Sequence, residues 1–391
     1  MSKTICVVGN FSGRNAGDAA ILGGLLKEVS KRFPTARFLV PTIKPEFVRR
    51  HYAKYNVEPV GLMPWHLSIK IFGWPILRSI YKSDIVLVTD AILFDKKLFN
   101  PLFNYLSTLA LVLPWAKARG KPVLLYNVNL GPIRTRAGRW CMRRVLASAD
   151  EIIIRDRESY NALPEGFPRE RIQEGADCAL NIDASSLERT NEIIANEGIA
   201  PNNAPFMTMT INSYLGSFLE GPQRNISKDR FLEIVANATN IVLKKLPVML
   251  TLVVTQVMDL SINTELMSRV DQRDRVRLIS NIDYTYNDLA GVFSRAELHV
   301  GARTHSLILA SKMLTPVVGI LVTPKNRGYM ESIEQHARMV DLDDMESTLL
   351  AKIMSTWEQR TEIRQELADI VPAQAAKARA SAQCLDKYMH S

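Results

Sequence analysis

The order of apolar and polar residues along the chain follows two alternating patterns. Short apolar runs, for example residues 4–10, 84–90 and 298–302, have the length of buried strands. Between such runs, apolar residues recur every three or four positions, which is the pattern of amphipathic helices. Strands that alternate with helices in this way predict an α/β fold built on doubly wound parallel sheets.

Two series of strands and helices follow one another in the chain. In the first series, strands are predicted at residues 4–10, 36–42, 57–62, 84–90, 123–129 and 151–155. In the second series, strands are predicted near residues 206–212, 248–255, 276–280, 298–302, 316–321 and 338–341. The polar, loop-rich residues 183–204 are the expected boundary. Because 391 residues exceed one ordinary core, we predict two Rossmann-like domains, residues 1–185 and 204–345, followed by C-terminal helices over 346–391.

The composition is that of a globular protein, with 47% apolar and 23% charged residues. The net charge of +9 favours phosphorylated substrates or anionic surfaces as partners. Nucleic acid is not expected, because no known binding motif is present and the aromatic residues are not interleaved with the cations along the sequence.

The cysteine positions and the start of the chain predict where the protein works. The four cysteines are far apart and lack metal-ligand spacing, so we expect reduced thiols in a cytoplasmic protein and no metal site. Residues 1–10 lead directly into a strand, so no signal peptide is expected. No run of about 18 apolar residues occurs, so we expect no membrane-spanning helix.

A glycine-rich turn, residues 9–18, follows the first strand. Its glycines are spaced by four, which is not the dinucleotide-binding pattern, and no acidic residue ends the second strand, so a nicotinamide site is excluded. Asp18 is placed to cap a helix from Ala19 to about Lys31. The turn, with Asn15 and Gly17, is suited to close approach of a substrate, although a plain tight turn has the same spacing.

Polar residues follow two neighbouring strands of the second series. Arg303, Thr304 and His305 end the strand at 298–302, and a short helix from Ser306 to Met313 leads to a strand from Pro316 to Leu321. The loop 323–328 then supplies Lys325 and Arg327. Both turns are expected at the carboxyl ends of neighbouring parallel strands, where open α/β sheets bind ligands and helix starts attract anions.

The alternative for each of these residues is structural. Arginines at strand ends are often solvated or paired, and a lone histidine beside an apolar helix is often part of the core. The convergence of four such side chains on two adjacent turns favours a binding site.

Two further features of the first series have open alternatives. Residues 134–157 hold seven arginines, of which Arg155 ends the strand 151–154 and is expected at the ligand edge, whereas most of the others line a solvated helix. Residues 62–80 and 101–116 are rich in aromatic and apolar side chains. They are interpreted either as ordinary core helices or as a face that inserts into a lipid surface.

Five short motifs in this order carry a resemblance to a known family. They are Gly9-Asn10 with residues 13–18, Arg155-Asp156-Arg157-Glu158-Ser159, Gly175-Ala176-Asp177-Cys178-Ala179, Gly301-Ala302-Arg303-Thr304-His305-Ser306, and Pro324-Lys325-Asn326-Arg327-Gly328-Tyr329-Met330. Through them the chain resembles members of the polysaccharide pyruvyl transferase family over nearly its whole length. It departs from the family pattern at residues 88–95, where members usually have a glycine-rich turn.

The resemblance implies a fold like glycosyltransferase type B, with two Rossmann-like domains facing across a cleft. It also implies a reaction in which pyruvate moves from phosphoenolpyruvate to two hydroxyls of one sugar, giving a cyclic ketal and phosphate. No cofactor other than this donor substrate is implied. By position, Arg155 and His305 are the strongest candidates for donor binding, with Arg303 and Lys325 beside them.

The roles within this implied reaction follow from side-chain chemistry. His305 is the expected acid for C3 of the enol, since histidine changes protonation near neutral pH. Ser306, Arg327, Gly17 and Asn15 complete the expected substrate-binding set. The acceptor is assigned to the first domain, with Asp18 as base or hydroxyl ligand.

Two other functions are compatible with the same architecture. A nucleotide-sugar glycosyltransferase requires an acidic residue that binds the ribose, and Glu297 and Glu331 are the nearby candidates for it. A non-catalytic glycan-binding protein that has kept the fold is the other possibility, and it would show no turnover. For the transferase we expect action on a lipid-linked sugar at the cytosolic membrane face, with Trp65 and Trp74 in peripheral contact. The alternative places both tryptophans in the core of a freely soluble enzyme.

Overall fold

The apolar runs form two parallel sheets in the computed structural model, which describes residues 2–62, 74–89, 93–95, 98, 105–131, 133–213 and 226–390. The chain divides into two units. The first consists of residues 1–13, 18–181 and 375–391, and the second of residues 14–17 and 182–374. Each unit is built around one sheet with helices packed against it, so the predicted α/β class is confirmed.

The sheet of the first unit has seven strands. They are β1 (Thr4–Val8), β2 (Arg37–Thr42), β3 (Val57–Gly61), β4 (Ile85–Val88), β5 (Val123–Val128), β6 (Glu151–Ile154) and β7 (Ile172–Glu174). Their order in the sheet is β3-β2-β1-β4-β5-β6-β7, and neighbouring strands run parallel. The central strands β4 and β5 are buried along their whole length, as expected for a sheet covered on both faces.

Helices connect these strands. Within the described residues they are α1 (Ala16–Arg32), α2 (Pro45–His51), α3 (Trp74–Tyr81), α4 (Leu106–Ala118), α5 (Arg136–Ser148) and α6 (Arg157–Asn161). Apolar residues of α3, α4 and α5 share one core cluster with β1, β4, β5 and β6, so these three helices cover the same face of the sheet.

The sheet of the second unit has six strands. They are β8 (Phe206–Thr210), β9 (Met249–Val254), β10 (Val276–Ser280), β11 (Leu298–Gly301), β12 (Val317–Ile320) and β13 (Met339–Val340), in the order β10-β9-β8-β11-β12-β13. The helices that follow residue 182 are α7 (Leu187–Asn196), α8 (Lys228–Lys245), α9 (Leu260–Ser268), α10 (Tyr286–Arg295), α11 (Thr304–Lys312), α12 (Pro324–Ser332), α13 (Met345–Glu358), α14 (Arg360–Ala380) and α15 (Asp386–Met389). The strand order reverses between β8 and β11, which is where such sheets bind ligands.

Several elements differ from the sequence prediction. Strand β7 was not predicted, because it is a short, polar strand at the sheet edge. The boundary region 183–204 contains α7, whose first turn is capped by the Ser186 hydroxyl, which accepts from the Arg189 N–H at 3.2 Å. The chain divides at residue 182, and residues 375–391 join the first unit instead of forming a separate C-terminal group.

Two predicted helix starts are also wrong. Helix α1 begins at Ala16, and the Asn15 side chain accepts from the Gly17 N–H at 2.9 Å, so Asn15 and not Asp18 caps it. Asp18 lies in the first turn, where a carboxylate is favoured by the helix dipole. The predicted loop 323–328 is instead the start of α12, in which Pro324 takes the first helical position that proline favours.

Candidate active site

The polar turns after β11 and β12 lie side by side at the carboxyl edge of the second sheet. The two strands pair in parallel, with His299 opposite Val317, so their ends are adjacent. Helices α11 and α12 both start at this edge. The first N–H groups of a helix have no partner within that helix, so two adjacent helix starts offer several donors to an anion.

Asn326 fixes the two helix starts relative to each other. Its buried side-chain oxygen accepts from the Thr304 and Thr323 hydroxyls, each at 2.7 Å. Its amide nitrogen donates to the carbonyls of Ala302 at 3.1 Å and Ile320 at 2.8 Å. No role was predicted for Asn326, although an asparagine in the first helical turn after Thr323-Pro324 was an available signal.

Arg303 is held in place by the carboxylate of Asp259, which lies in the segment that follows β9. Its Nε lies 2.6 Å and its Nη2 2.8 Å from the two oxygens of Asp259, whose side chain is fully buried. Asp259 also accepts from the backbone N–H and hydroxyl of Ser213, at 3.1 and 3.0 Å. This fork-to-carboxylate geometry orients the guanidinium rigidly and offsets its charge. Asp259 was missed in the sequence, where an acidic residue shortly after an apolar strand was the available signal.

A chain of buried hydrogen bonds stabilises the turn after β11. The Thr208 hydroxyl lies 3.0 Å from Nδ1 of His299, and Nε2 of His299 lies 2.9 Å from the Ser306 hydroxyl. The Ser306 hydroxyl donates to the Arg303 carbonyl at 2.8 Å. These contacts are all satisfied when neutral His299 donates from Nε2 and accepts at Nδ1. Ser306 is thus a support for the turn, and its predicted contact with substrate remains a prediction.

Burial lowers the pKa of His299 to about 3. A histidine in the unfolded chain takes up a proton below about pH 6.5, whereas buried His299 does not until about pH 3. The stability that this neutral imidazole contributes is therefore fully present above about pH 6.5. It decreases as the pH falls from that value towards 3.

Residues 14–17, which belong to the second unit, contact other residues of that unit at this edge. The Ala16 N–H donates to the Thr255 carbonyl at 2.8 Å, and the Val257 N–H donates to the Arg14 carbonyl at 3.0 Å. A Cβ atom added to Gly17 would lie 2.1 Å from Nδ1 and 2.5 Å from Cβ of His305. Only a residue without a side chain fits against the His305 ring here, which explains the glycine.

The remaining predicted residues of the second unit lie on α12. Lys325 is half-buried in the first turn of the helix, next to Asn326. Arg327 is about 39% exposed and pairs with Asp341, which follows β13. A half-exposed pair of this kind contributes little to stability. The structure therefore brings Arg303, His305 and Lys325 to one sheet edge, whereas Arg327 has its own carboxylate partner.

Arg155 and Asp18 belong to the first unit. Arg155 follows β6, with Nη1 2.5 Å from Oδ2 of Asp177 and Nε 3.6 Å from Oδ2 of Asp156. The side chains of Arg155 and Asp177 are 7% and 5% exposed, so their opposite charges offset each other inside the unit. Asp18 is buried and accepts from the Asn10 amide at 2.9 Å. The predicted donor role of Arg155 and acceptor role of Asp18 remain predictions.

Solved structures of similar fold include UDP-GlcNAc 2-epimerases and a glycosyltransferase. A putative UDP-N-acetylglucosamine 2-epimerase from Listeria monocytogenes is 14% identical with a TM-score of 0.65, over 100% of this chain and 97% of that one. A UDP-GlcNAc 2-epimerase from Neisseria meningitidis is 12% identical with a TM-score of 0.62, over 99% of both chains. A glycosyltransferase from Rickettsia africae is 13% identical with a TM-score of 0.62, over 100% and 98%. At this identity the likeness shows the fold alone, which is of glycosyltransferase type B.

Sequence comparison identifies the family more specifically than the fold does. No curated protein matches the chain. The profile of the family described as polysaccharide pyruvyl transferase matches residues 15–324. The match begins at the residue that caps α1 and ends at the first residue of α12, so it includes Arg303 and His305 and stops one residue before Lys325. Because this match covers most of the chain, the protein belongs to the polysaccharide pyruvyl transferase family.

Proposed function

We propose that the protein transfers pyruvate from phosphoenolpyruvate to two hydroxyls of one sugar, in a polysaccharide or a lipid-linked precursor, and releases phosphate. The observation that carries the proposal is the position of His305. It lies in the first turn of α11, two residues after anchored Arg303 and at the edge that α12 also reaches. Family membership supports the same reaction class.

The donor's chemistry suits this edge. Phosphoenolpyruvate carries a phosphate and a carboxylate, which require several N–H donors and positive charges at fixed positions. The starts of α11 and α12 supply backbone N–H groups and the positive ends of two helix dipoles. Lys325 adds a positive charge in the first turn of α12. Arg303, held by Asp259, adds a guanidinium whose orientation is set before the ligand arrives.

The proposed reaction begins with proton transfer from His305 to C3 of the enol. C3 becomes a methyl group, the bond between C2 and C3 becomes a single bond, and C2 gains oxocarbenium character. One sugar hydroxyl adds to C2 and returns its proton to His305. The bond between C2 and the phosphate oxygen then breaks, phosphate leaves, and the second hydroxyl adds to C2 while its proton passes to the released phosphate. The products are the cyclic ketal and inorganic phosphate.

The competing function, a nucleotide-sugar glycosyltransferase, is less well supported because its two candidate ribose ligands, Glu297 and Glu331, lie away from the carboxyl edge of the sheet. Glu297 precedes β11 and lies 3.3 Å from Nε of Arg360 and 3.1 Å from Nη2 of Arg364. It is therefore at the amino end of the strand, opposite to the edge that carries His305. Glu331 is the eighth residue of α12, about two turns from the helix start. The described residues thus place neither carboxylate at the ligand edge.

Phosphoenolpyruvate is expected to stabilise the protein against heat and to be consumed with release of phosphate. A ligand at 100 times its Kd stabilises the folded state by about 3 kcal/mol. The measurement is a thermal-shift titration, followed by phosphate release in the presence of sugar acceptors and mass spectrometry of the product for the added ketal. UDP-sugars serve as the comparison. Release of nucleoside diphosphate, with no response to phosphoenolpyruvate at millimolar concentration, would establish the glycosyltransferase instead.

Gly17→Ala is expected to lower turnover about 10²-fold in a protein that still folds. The new methyl group would overlap the His305 ring, and a displacement of about 1 Å in a catalytic group has an effect of this size. The measurement is the steady-state rate with phosphoenolpyruvate, together with the melting temperature. Gly61→Ala is the matched control, because among the described residues a Cβ atom there meets only Cγ of Pro45, at 3.5 Å. Equal turnover in both variants would remove Gly17 and its contact with His305 from the site.

A further inference from the structure

The outward face of α3, α4 and α5 in the first unit is unusual in charge. Residues 105–149 contain eight lysines and arginines and no aspartate or glutamate, whereas the whole chain has a net charge of only +9. Most of the chain's excess positive charge therefore lies in this one stretch. Four of these cations, Arg136, Arg139, Arg143 and Arg144, are exposed along α5. Helix α3 adds exposed Arg78 and also lacks acidic residues.

Large apolar side chains are exposed among these cations. Trp74 and Tyr81 on α3, Leu111 on α4 and Trp140 on α5 are each more than half exposed. The aromatic rings and cations are in contact across the helices. The Arg119 guanidinium lies 4.4 Å from the Trp115 ring and 5.7 Å from the Tyr81 ring. The exposed residues of the three helices thus form one surface, which we call the basic–aromatic face.

Helix packing holds this face together. Nε of Arg144 donates to the Ala110 carbonyl of α4 at 3.0 Å, while its guanidinium lies 4.9 Å from the Trp140 ring. The inward sides of all three helices pack in the core of the first sheet, so their outward sides cannot be buried by a small rotation. Residues 63–73 and 99–104, which include Trp65 and Phe103 of the two predicted apolar stretches, lie outside the described residues.

We propose that the basic–aromatic face binds the surface of an anionic phospholipid bilayer. Cations alone would suit any polyanion, but the exposed tryptophans and Leu111 require an apolar region next to the negative charges. The headgroup region of a bilayer provides both, because amphipathic aromatic rings are stable there and anionic headgroups attract arginine and lysine. A nucleic-acid duplex offers the charge without the apolar layer. Over the described ranges, every helix is too short or too polar to traverse a bilayer.

Binding of the full chain to vesicles tests this proposal without reference to the reaction. We expect sedimentation with vesicles of phosphatidylcholine and phosphatidylglycerol and much weaker sedimentation with phosphatidylcholine alone. The triple variant Arg136→Gln, Arg139→Gln, Arg143→Gln should bind on the order of 10²-fold more weakly, since each basic residue near an anionic surface contributes about fivefold. Arg144 is left unchanged because of its contact with α4. Trp140→Ser should weaken the binding that remains at about 0.5 M salt, where exposed charges are screened.

The matched control lies on α8 of the second unit, where Ile241, Lys244 and Lys245 are exposed. The variant Ile241→Ser, Lys244→Gln, Lys245→Gln removes two cations and one apolar side chain from a different surface and should bind vesicles as the unchanged protein does. Absence of binding at low salt, an equal loss in the control, or tighter binding to duplex DNA than to anionic vesicles would each overturn the proposal. Circular dichroism and melting temperatures confirm that all variants are folded.

Discussion

His305→Ala is expected to leave a folded protein that turns over phosphoenolpyruvate on the order of 10²- to 10⁴-fold more slowly. This is the range by which a positioned acid or base accelerates proton transfer. The imidazole is held between the start of α11 and Gly17, and the turn beneath it is fixed by other residues, so its removal should leave the fold intact. The measurement is kcat for phosphate release at saturating donor and acceptor.

His336→Ala is the matched control, because His336 is exposed in the same unit and lies away from the carboxyl edge of the sheet. It should retain full activity. A loss in kcat for His305→Ala with little change in KM would fit an acid, whereas a loss confined to KM would fit a ligand of the donor. Turnover within a few-fold of normal would refute both roles for His305.

Local sequence patterns predicted the strands and the helix that carry this site. The apolar runs at 298–302 and 316–321 and the helix between them are recognisable from residue spacing alone, and the structure confirms a βαβ arrangement there. Since parallel strands place their carboxyl ends together, the convergence of Arg303 and Lys325 on one edge also followed from the sequence.

The side chains that hydrogen-bond to the site residues come from distant parts of the chain and were not predictable from residue spacing. Asp259 reaches Arg303 from the segment after β9, and Thr208 reaches His299 from β8. Each pairing exists because the sheet order places β8 and β9 near β11, and that order is a property of the whole fold. The burial of His299, which makes it a neutral structural residue, is likewise a tertiary effect.

The buried partner of Arg155 was likewise not predictable from the sequence, and it affects how a substitution of Arg155 has to be designed. The sequence placed it at the end of a strand, which is correct, and favoured a direct role in donor binding. The structure adds Asp177 as a buried partner. Replacing Arg155 alone would leave a carboxylate buried without its compensating charge, which typically destabilises a protein by about 3–5 kcal/mol. A loss of activity in such a variant would then report instability as much as chemistry.

Arg155→Met is therefore expected to lose stability, and the double variant Arg155→Met, Asp177→Asn is expected to regain most of it. Asparagine preserves the oxygen that accepts from the Ala179 N–H at 2.9 Å, so only the charge is removed. The measurement is a double-mutant cycle on the free energy of unfolding in urea, where residues in direct contact couple by roughly 0.5–3 kcal/mol. A coupling near zero would contradict the importance of this pair for the first unit.

The same double variant separates a structural role of Arg155 from donor binding. If Arg155 contacts phosphoenolpyruvate, the double variant is stable but retains a KM for the donor that is raised on the order of 10-fold or more, since a hydrogen bond to a charged group contributes about 1.5–3 kcal/mol. Asp177→Asn alone, which keeps the arginine, should show a donor KM near that of the unchanged protein. Recovery of normal donor dependence together with stability in the double variant would show that Arg155 serves only to hold the turn after β6.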